Sequence, residues 1–205
     1  MLKLLYSPTS PFVRKVLVTA HERGLESRIE RVAATANPVN RSDTIAAVNP
    51  LAKVPAAITA EGRALFDSRV ICEYLDSLAG ARLFPPSGPA RWSALTCQAL
   101  ADGMVDAAVL VRYETHLRPQ PLRWAAWCDG QLGKVAGAVA GLEATITEWS
   151  AELTIGSIAA GCGLGYIDFR FPDLGWRQSR PRLAAWFEAF GARPSMRATA
   201  PREAQ

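Results

Sequence analysis

The residue types that could do chemistry come early. The stretch Tyr6-Ser7-Pro8-Thr9-Ser10-Pro11-Phe12-Val13-Arg14-Lys15-Val16 follows a short apolar run, Met1 to Leu5. It opens a segment in which Phe12, Val13, Val16, Leu17 and Ala20 fall on one face of a helix that Gly24 would stop. Ser10 is a favoured N-cap, and Pro11 suits the first helical position, where its missing N–H costs nothing. A strand thus delivers the chain to a helix N-terminus bearing a hydroxyl, where unpaired N–H groups and the helix dipole favour an anion. The same residues also fit a plain structural cap on a βα turn.

A second constellation follows. In Asn49-Pro50-Leu51-Ala52-Lys53-Val54-Pro55, proline at a strand entry marks an edge or a special turn. If the Val54–Pro55 bond is cis, the Val54 N–H and C=O turn outward, where an extended peptide could pair as an added strand. A β-hairpin is expected from Val54–Thr59 and Ala64–Phe66 around Glu61-Gly62. Asp67 or Ser68 then caps a helix with Val70, Ile71, Tyr74, Leu75 and Leu78 on its apolar side and Gly80 at its end.

The elements that must position these residues are legible from periodicity. Residues 27–32 read as a short strand. Asp43 is placed to cap a short helix through Val48, which Asn49-Pro50 stops. Residues 81–91, rich in proline and glycine, read as a linker. Beyond it strand signals cease. Trp92–Leu117 carries a helical apolar stripe, interrupted at residues 118–121, and Leu122–Leu153 resumes it. Ile155–Ile167 reads as a buried core helix and Arg182–Phe190 as a last strong helix, with a frayed tail after Arg193. The division is an α/β unit over 1–80, the linker, and an all-helical unit over 92–205.

Composition narrows the partners. The chain has 205 residues with 23 Lys and Arg against 19 Asp and Glu. It has no basic run interleaved with aromatics, which argues against nucleic acid. No uninterrupted apolar run approaches the ~18 residues of a membrane span. Four cysteines lie far apart without a CxxC pair and only two histidines are present, so neither a metal site nor a disulfide framework is expected. A reducing cytoplasm is the simple inference.

Taken together, the hydroxyl at the first helix start, Lys53-Val54-Pro55 before a hairpin, and Asp67-Ser68 at the next helix start resemble the cytosolic glutathione transferase family, in its bacterial form with a serine-type active-site turn. The string Leu153-Thr154-Ile155-Gly156-Ser157-Ile158-Ala159-Ala160 resembles that family's capping-box helix, with Ser157 where aspartate is usual. An uncharged residue there predicts a weaker reciprocal cap. The resemblance implies a thioredoxin-like βαβαββα domain followed by an all-helical one, and glutathione as co-substrate. It implies that the Val54 backbone, ahead of Pro55, pairs with the cysteinyl part. Ser68 and its helix N-terminus would hold the γ-glutamyl carboxylate, Asp67 would face the ammonium group, and Lys53 the glycyl carboxylate. Ser10 would donate its O–H to the thiolate, with Tyr6 and Thr9 as competitors for that role. A cysteine at position 10 would have favoured glutaredoxin-like exchange.

A small hydrophobic electrophile would lie between the domains, lined by Val109, Arg112, Tyr113 and His116 with Phe12 across from them, although that stripe fits helix packing equally well. The family usually forms homodimers. The alternative function is a non-catalytic, partner-binding protein of the same fold, of the stringent-starvation type.

Overall fold

The computed structural model describes residues 1–203. Strand β1 (Leu2–Tyr6) is central to a four-stranded sheet of order β2-β1-β3-β4, with β2 at Ile29–Ala33, β3 at Ala56–Ile58 and β4 at Ala64–Leu65. β1 and β2 run parallel, Leu2 opposite Ile29 through Tyr6 opposite Ala33. Parallel neighbours need a crossover, and α1 (Pro11–Glu22) supplies it. β3 pairs antiparallel with both β1 and β4. α2 (Asp43–Ala46) precedes the Lys53–Pro55 loop, and α3 (Ser68–Ser77) follows β4 and packs on α1. Leu4, Val13, Val16, Ile71 and Leu75 are core residues of this unit.

Several boundaries move from their sequence positions. Residues 26–28 form a 3₁₀ turn, so the second strand is Ile29–Ala33 rather than 27–32. Ser42, not Asp43, caps α2, its Oγ accepting from the Ile45 N–H, and the helix ends at Ala46 rather than Val48. The hairpin is shorter than expected because Val54 and Pro55 precede the ladder. On α3, Val70 and Leu78 are 47% and 46% exposed. The buried face instead runs through Ser68, Ile71, Cys72, Leu75 and Asp76. Asp76 can be inside because its carboxylate accepts from the N–H groups of Arg82, Leu83 and Phe84 and lies 2.9 Å from the Arg23 guanidinium. A buried charge needs such partners. The expected linker is therefore partly anchored: Leu83 and Phe84 are buried, and the first unit runs to Pro85.

The second unit, Pro86–Arg193, is helical. It contains α4 (Gly88–His116), α5 (Ala125–Ala144), α6 (Ile146–Trp149), α7 (Ile155–Arg170), α8 (Trp176–Ser179) and α9 (Pro181–Gly191). The single helix expected over Leu122–Leu153 is broken at Thr145, and Trp124, placed on its apolar side, is 65% exposed. α4 has the length and mean apolarity of a membrane span, and its packing against α5 and α7 accounts for that apolarity. α7 is buried from Ile155 to Ile167, as expected. Its capping box is complete: Thr154 Oγ1 accepts from the Ser157 N–H, and Ser157 Oγ accepts from the Thr154 N–H at 2.9 Å. The serine thus makes the reciprocal bond and forgoes only the charge.

Residues 194–198 of the expected frayed tail form a helix, and residues 204–205 of it lie outside the described residues. α10 (Pro194–Ala198) rejoins the first unit against α1, with Ser195 and Met196 buried. Ser195 donates to Glu22, and the Met196 carbonyl accepts from Arg14 at 3.0 Å.

Candidate functional site

Ser10 occupies the N-cap of α1 in extended conformation, half-buried, its Oγ accepting from the Val13 N–H at 3.3 Å. Using the oxygen as an acceptor leaves the O–H to donate. Pro11 follows inside the first turn. Tyr6, at the end of β1, lies under the Arg31 guanidinium, 5.9 Å from its ring centroid. Ser10 and Tyr6 line one cleft of about 130 Å³ together with Arg14, Arg31 and the returning segment at Ala198–Ala200 and Arg202. Thr9 does not line it; its hydroxyl shares a 3.4 Å hydrogen bond with Ser7.

The second constellation sits on a common support. The Val54–Pro55 bond is cis, and Val54 and Phe66 both pack on the cluster of Leu5, Ile45 and Ala56. That places the Val54 backbone and the Phe66-Asp67 step on one patch of core. Lys53 and Asp67 are exposed, Pro55 and Ser68 buried. Asp67 caps α3 through Oδ1, which accepts from the Arg69 N–H at 2.9 Å. None of Lys53, Val54, Pro55, Asp67 or Ser68 lines the Ser10 cleft.

A residue read in the sequence only as part of a helix stop proves to position this loop. Buried Asn49 donates from Nδ2 to the Lys53 carbonyl at 2.9 Å and accepts from the Leu51 N–H at 3.1 Å. Between them Ala52 adopts a φ of 52°, in the left-handed region that disfavours a Cβ. Asn49 therefore brackets a backbone conformation that the chain would not choose unaided.

In the second unit, Val109, Arg112 and Tyr113 are half-buried on α4, and His116 is exposed at its end. Two residues of α7, Tyr166 and Arg170, share the electrostatic environment of Arg112, Tyr113 and His116. Neither has a role in the reading of the sequence, because both lie outside the α4 stripe. Burial pushes the Tyr113 phenol up and, with smaller opposing effects from Arg170 and Arg112, the Tyr166 phenol as well. Both phenols stay protonated donors. The His116 imidazole is held below the usual histidine range, by burial first and then by Arg112, Arg170 and Arg123. Phe12, on α1, is half-buried in the first unit with the Lys15 ammonium 5.9 Å from its ring centroid.

The chemistry of the first unit is thus a hydroxyl donor at a helix N-terminus, a peptide edge beside a cis proline, and an exposed carboxylate at a second helix start. Comparison with known proteins identifies the group to which this arrangement belongs. The family model "Glutathione S-transferase, N-terminal domain" matches residues 9–78, and "Glutathione S-transferase, C-terminal domain" matches residues 125–189. An Escherichia coli K12 relative described as the uncharacterized GST-like protein YibF is 32% identical over 99% of this chain and 100% of its own. The chain belongs to the glutathione transferase family.

Solved structures agree with this assignment. A family member from Pseudomonas fluorescens Pf-5, crystallised with bound glutathione, is 47% identical with a TM-score of 0.96, over 99% of this chain and 100% of that one. A structure of a Pf-5 family member with bound S-(propanoic acid)-glutathione gives a TM-score of 0.91 at 47% identity, over 98% and 100% of the two chains. The thioredoxin-like first unit and helical second unit of this glutathione transferase family member are those expected from its sequence. Its N-terminal match spans Ser10, the Lys53–Pro55 loop and Asp67-Ser68, whereas neither match reaches α4 and its candidates.

Proposed function

We propose that this protein is a glutathione transferase enzyme. It binds reduced glutathione, holds the sulfur as a thiolate beside Ser10, and transfers it to a small hydrophobic electrophile. The observation that carries the reading is the Ser10 hydroxyl, fixed at the α1 N-terminus by the Val13 N–H with its proton left to give. A free thiol titrates near ~8.5, so little of it is thiolate at neutral pH. Lowering that value by one to two units needs about 1.4–2.8 kcal/mol. One charge-assisted hydrogen bond and the helix dipole together supply this.

The other roles follow from chemical complementarity. The Val54 N–H and C=O, outside the β3 ladder, pair with the cysteinyl peptide. Asp67 meets the γ-glutamyl ammonium, the Ser68 N-terminus of α3 its carboxylate, and Lys53 the glycyl carboxylate. Tyr113 and Tyr166 offer neutral donors to the electrophile, with Arg112, Val109 and His116 around them. The bound glutathione and bound S-conjugate of the two Pseudomonas structures support both halves of the reaction. The protein's four cysteines are free thiols, suited to a reducing compartment in which glutathione is available. Pairing of two copies into a homodimer belongs to the same proposal.

Calorimetric titration with reduced glutathione, followed by a panel of small electrophiles, tests the reading. Saturable uptake and enzyme-dependent loss of free thiol with at least one electrophile are expected. Uptake without any conjugation would favour a binding protein, and no uptake would overturn the proposal.

A further inference from the structure

The cleft beside Ser10 contains more positive charge than the transfer reaction requires. Arg14, Arg31 and Arg202 all line it, with no aspartate or glutamate among the described lining residues. Arg14 is only 9% exposed, yet the acceptor it meets is the neutral carbonyl of Met196. Its Nε is buried without a hydrogen-bond partner among the described residues. A guanidinium cannot shed its proton to escape burial, and a buried charge lacking a counter-charge is costly. The Arg31 guanidinium lies 5.9 Å from the Tyr6 ring centroid, and both Arg31 and Arg202 are exposed. Ser10, the N-cap of the 12-residue α1, lines the same cleft. The cleft volume of about 130 Å³ is well above the ~10–15 Å³ that one water needs, so a small polyatomic ion has room there.

From this geometry we infer a second ligand site: a small tetrahedral oxyanion, of the phosphate or sulfate type, binds between α1 and the returning C-terminal segment, on Arg14, Arg31 and Arg202. Arg14 provides the buried donor, and the two exposed arginines close on the ion from β2 and from the segment after α10. Because α10 is tied to α1 through Arg14 and Met196, the ion also fastens the segment through Arg202 to α1. The site does not rest on the glutathione reading, since none of these three arginines has a role in it.

The test is calorimetric titration of the full chain with sodium phosphate in the absence of glutathione, in chloride buffer of matched ionic strength. Sodium sulfate and sodium acetate serve as further arms. Saturable one-to-one uptake of phosphate or sulfate is expected, with acetate at least tenfold weaker. Arg31 and Arg202 are exposed, so the Arg31→Gln/Arg202→Gln protein should fold as the wild type does, checked by its thermal transition, and should bind phosphate at least tenfold more weakly. No uptake beyond chloride, acetate binding as tight as phosphate, or an unchanged affinity in the double variant would each overturn the inference.

Discussion

Ser10 owes its candidacy to one bond it accepts. With Val13 N–H fixing its oxygen, the side chain is held in place before any ligand arrives, and the proton is the part left over. Asp67 serves two functions at once, closing α3 through the Arg69 N–H while remaining exposed to a cationic group. The two can be separated. Asparagine caps a helix about as well as aspartate, so Asp67→Asn should leave thermal stability within a few tenths of a kcal/mol. Glutathione affinity in calorimetry should fall about tenfold, as expected for the loss of a charge-assisted contact. Unchanged affinity would place the ammonium elsewhere. Thiol–disulfide exchange gains no support at this scale. Cys72 is fully buried, and burial raises the Cys97 thiol to about 12. These residue types were readable in sequence, whereas the buried Arg14 was not, because a charged residue between Val13 and Val16 reads as a solvated position until α10 covers it.

Among the elements, α7 shows how small residues determine packing. A Cβ on Gly156 would come within 2.7 Å of the Ala94 carbonyl oxygen and 2.9 Å of Cys97 Cβ on α4. On Gly163 it would meet the flexible end of Met104 at 2.7 Å. Backbone cannot yield as a methionine terminus can. Gly156→Ala should therefore destabilise by roughly 1–3 kcal/mol, and Gly163→Ala by clearly less, measured as denaturant midpoints. Equal effects would contradict this account of the α4–α7 approach. Periodicity located α1, α3, α4 and α9 because each sets a face against the core, whereas α7 was legible as a nearly uncharged stretch and is buried from Ile155 to Ile167. Periodicity failed at Thr145 and at the edges of α2. There, local capping by Ser42 and a one-residue break decide the boundary, and neither alters the hydrophobic pattern.

For the whole molecule, the order of an α/β unit before a helical one was legible, since strand signals end where the second unit begins. The division at Arg193 was not, because a proline-started helix of five residues, Pro194–Ala198, carries too little pattern to be read. The segment that this helix leads into, at Ala198–Ala200 and Arg202, lines the cleft beside Ser10. The proposed chemistry requires this scaffold to make a bound thiol more acidic than a free one. The direct measurement is a pH titration of the thiolate absorbance of glutathione bound to the wild type and to Ser10→Ala. The wild-type complex should ionise one to two units below the free thiol's ~8.5, and Ser10→Ala should recover most of that difference with affinity nearly unchanged. Identical titrations in the two proteins would contradict the account and transfer the role to Tyr6.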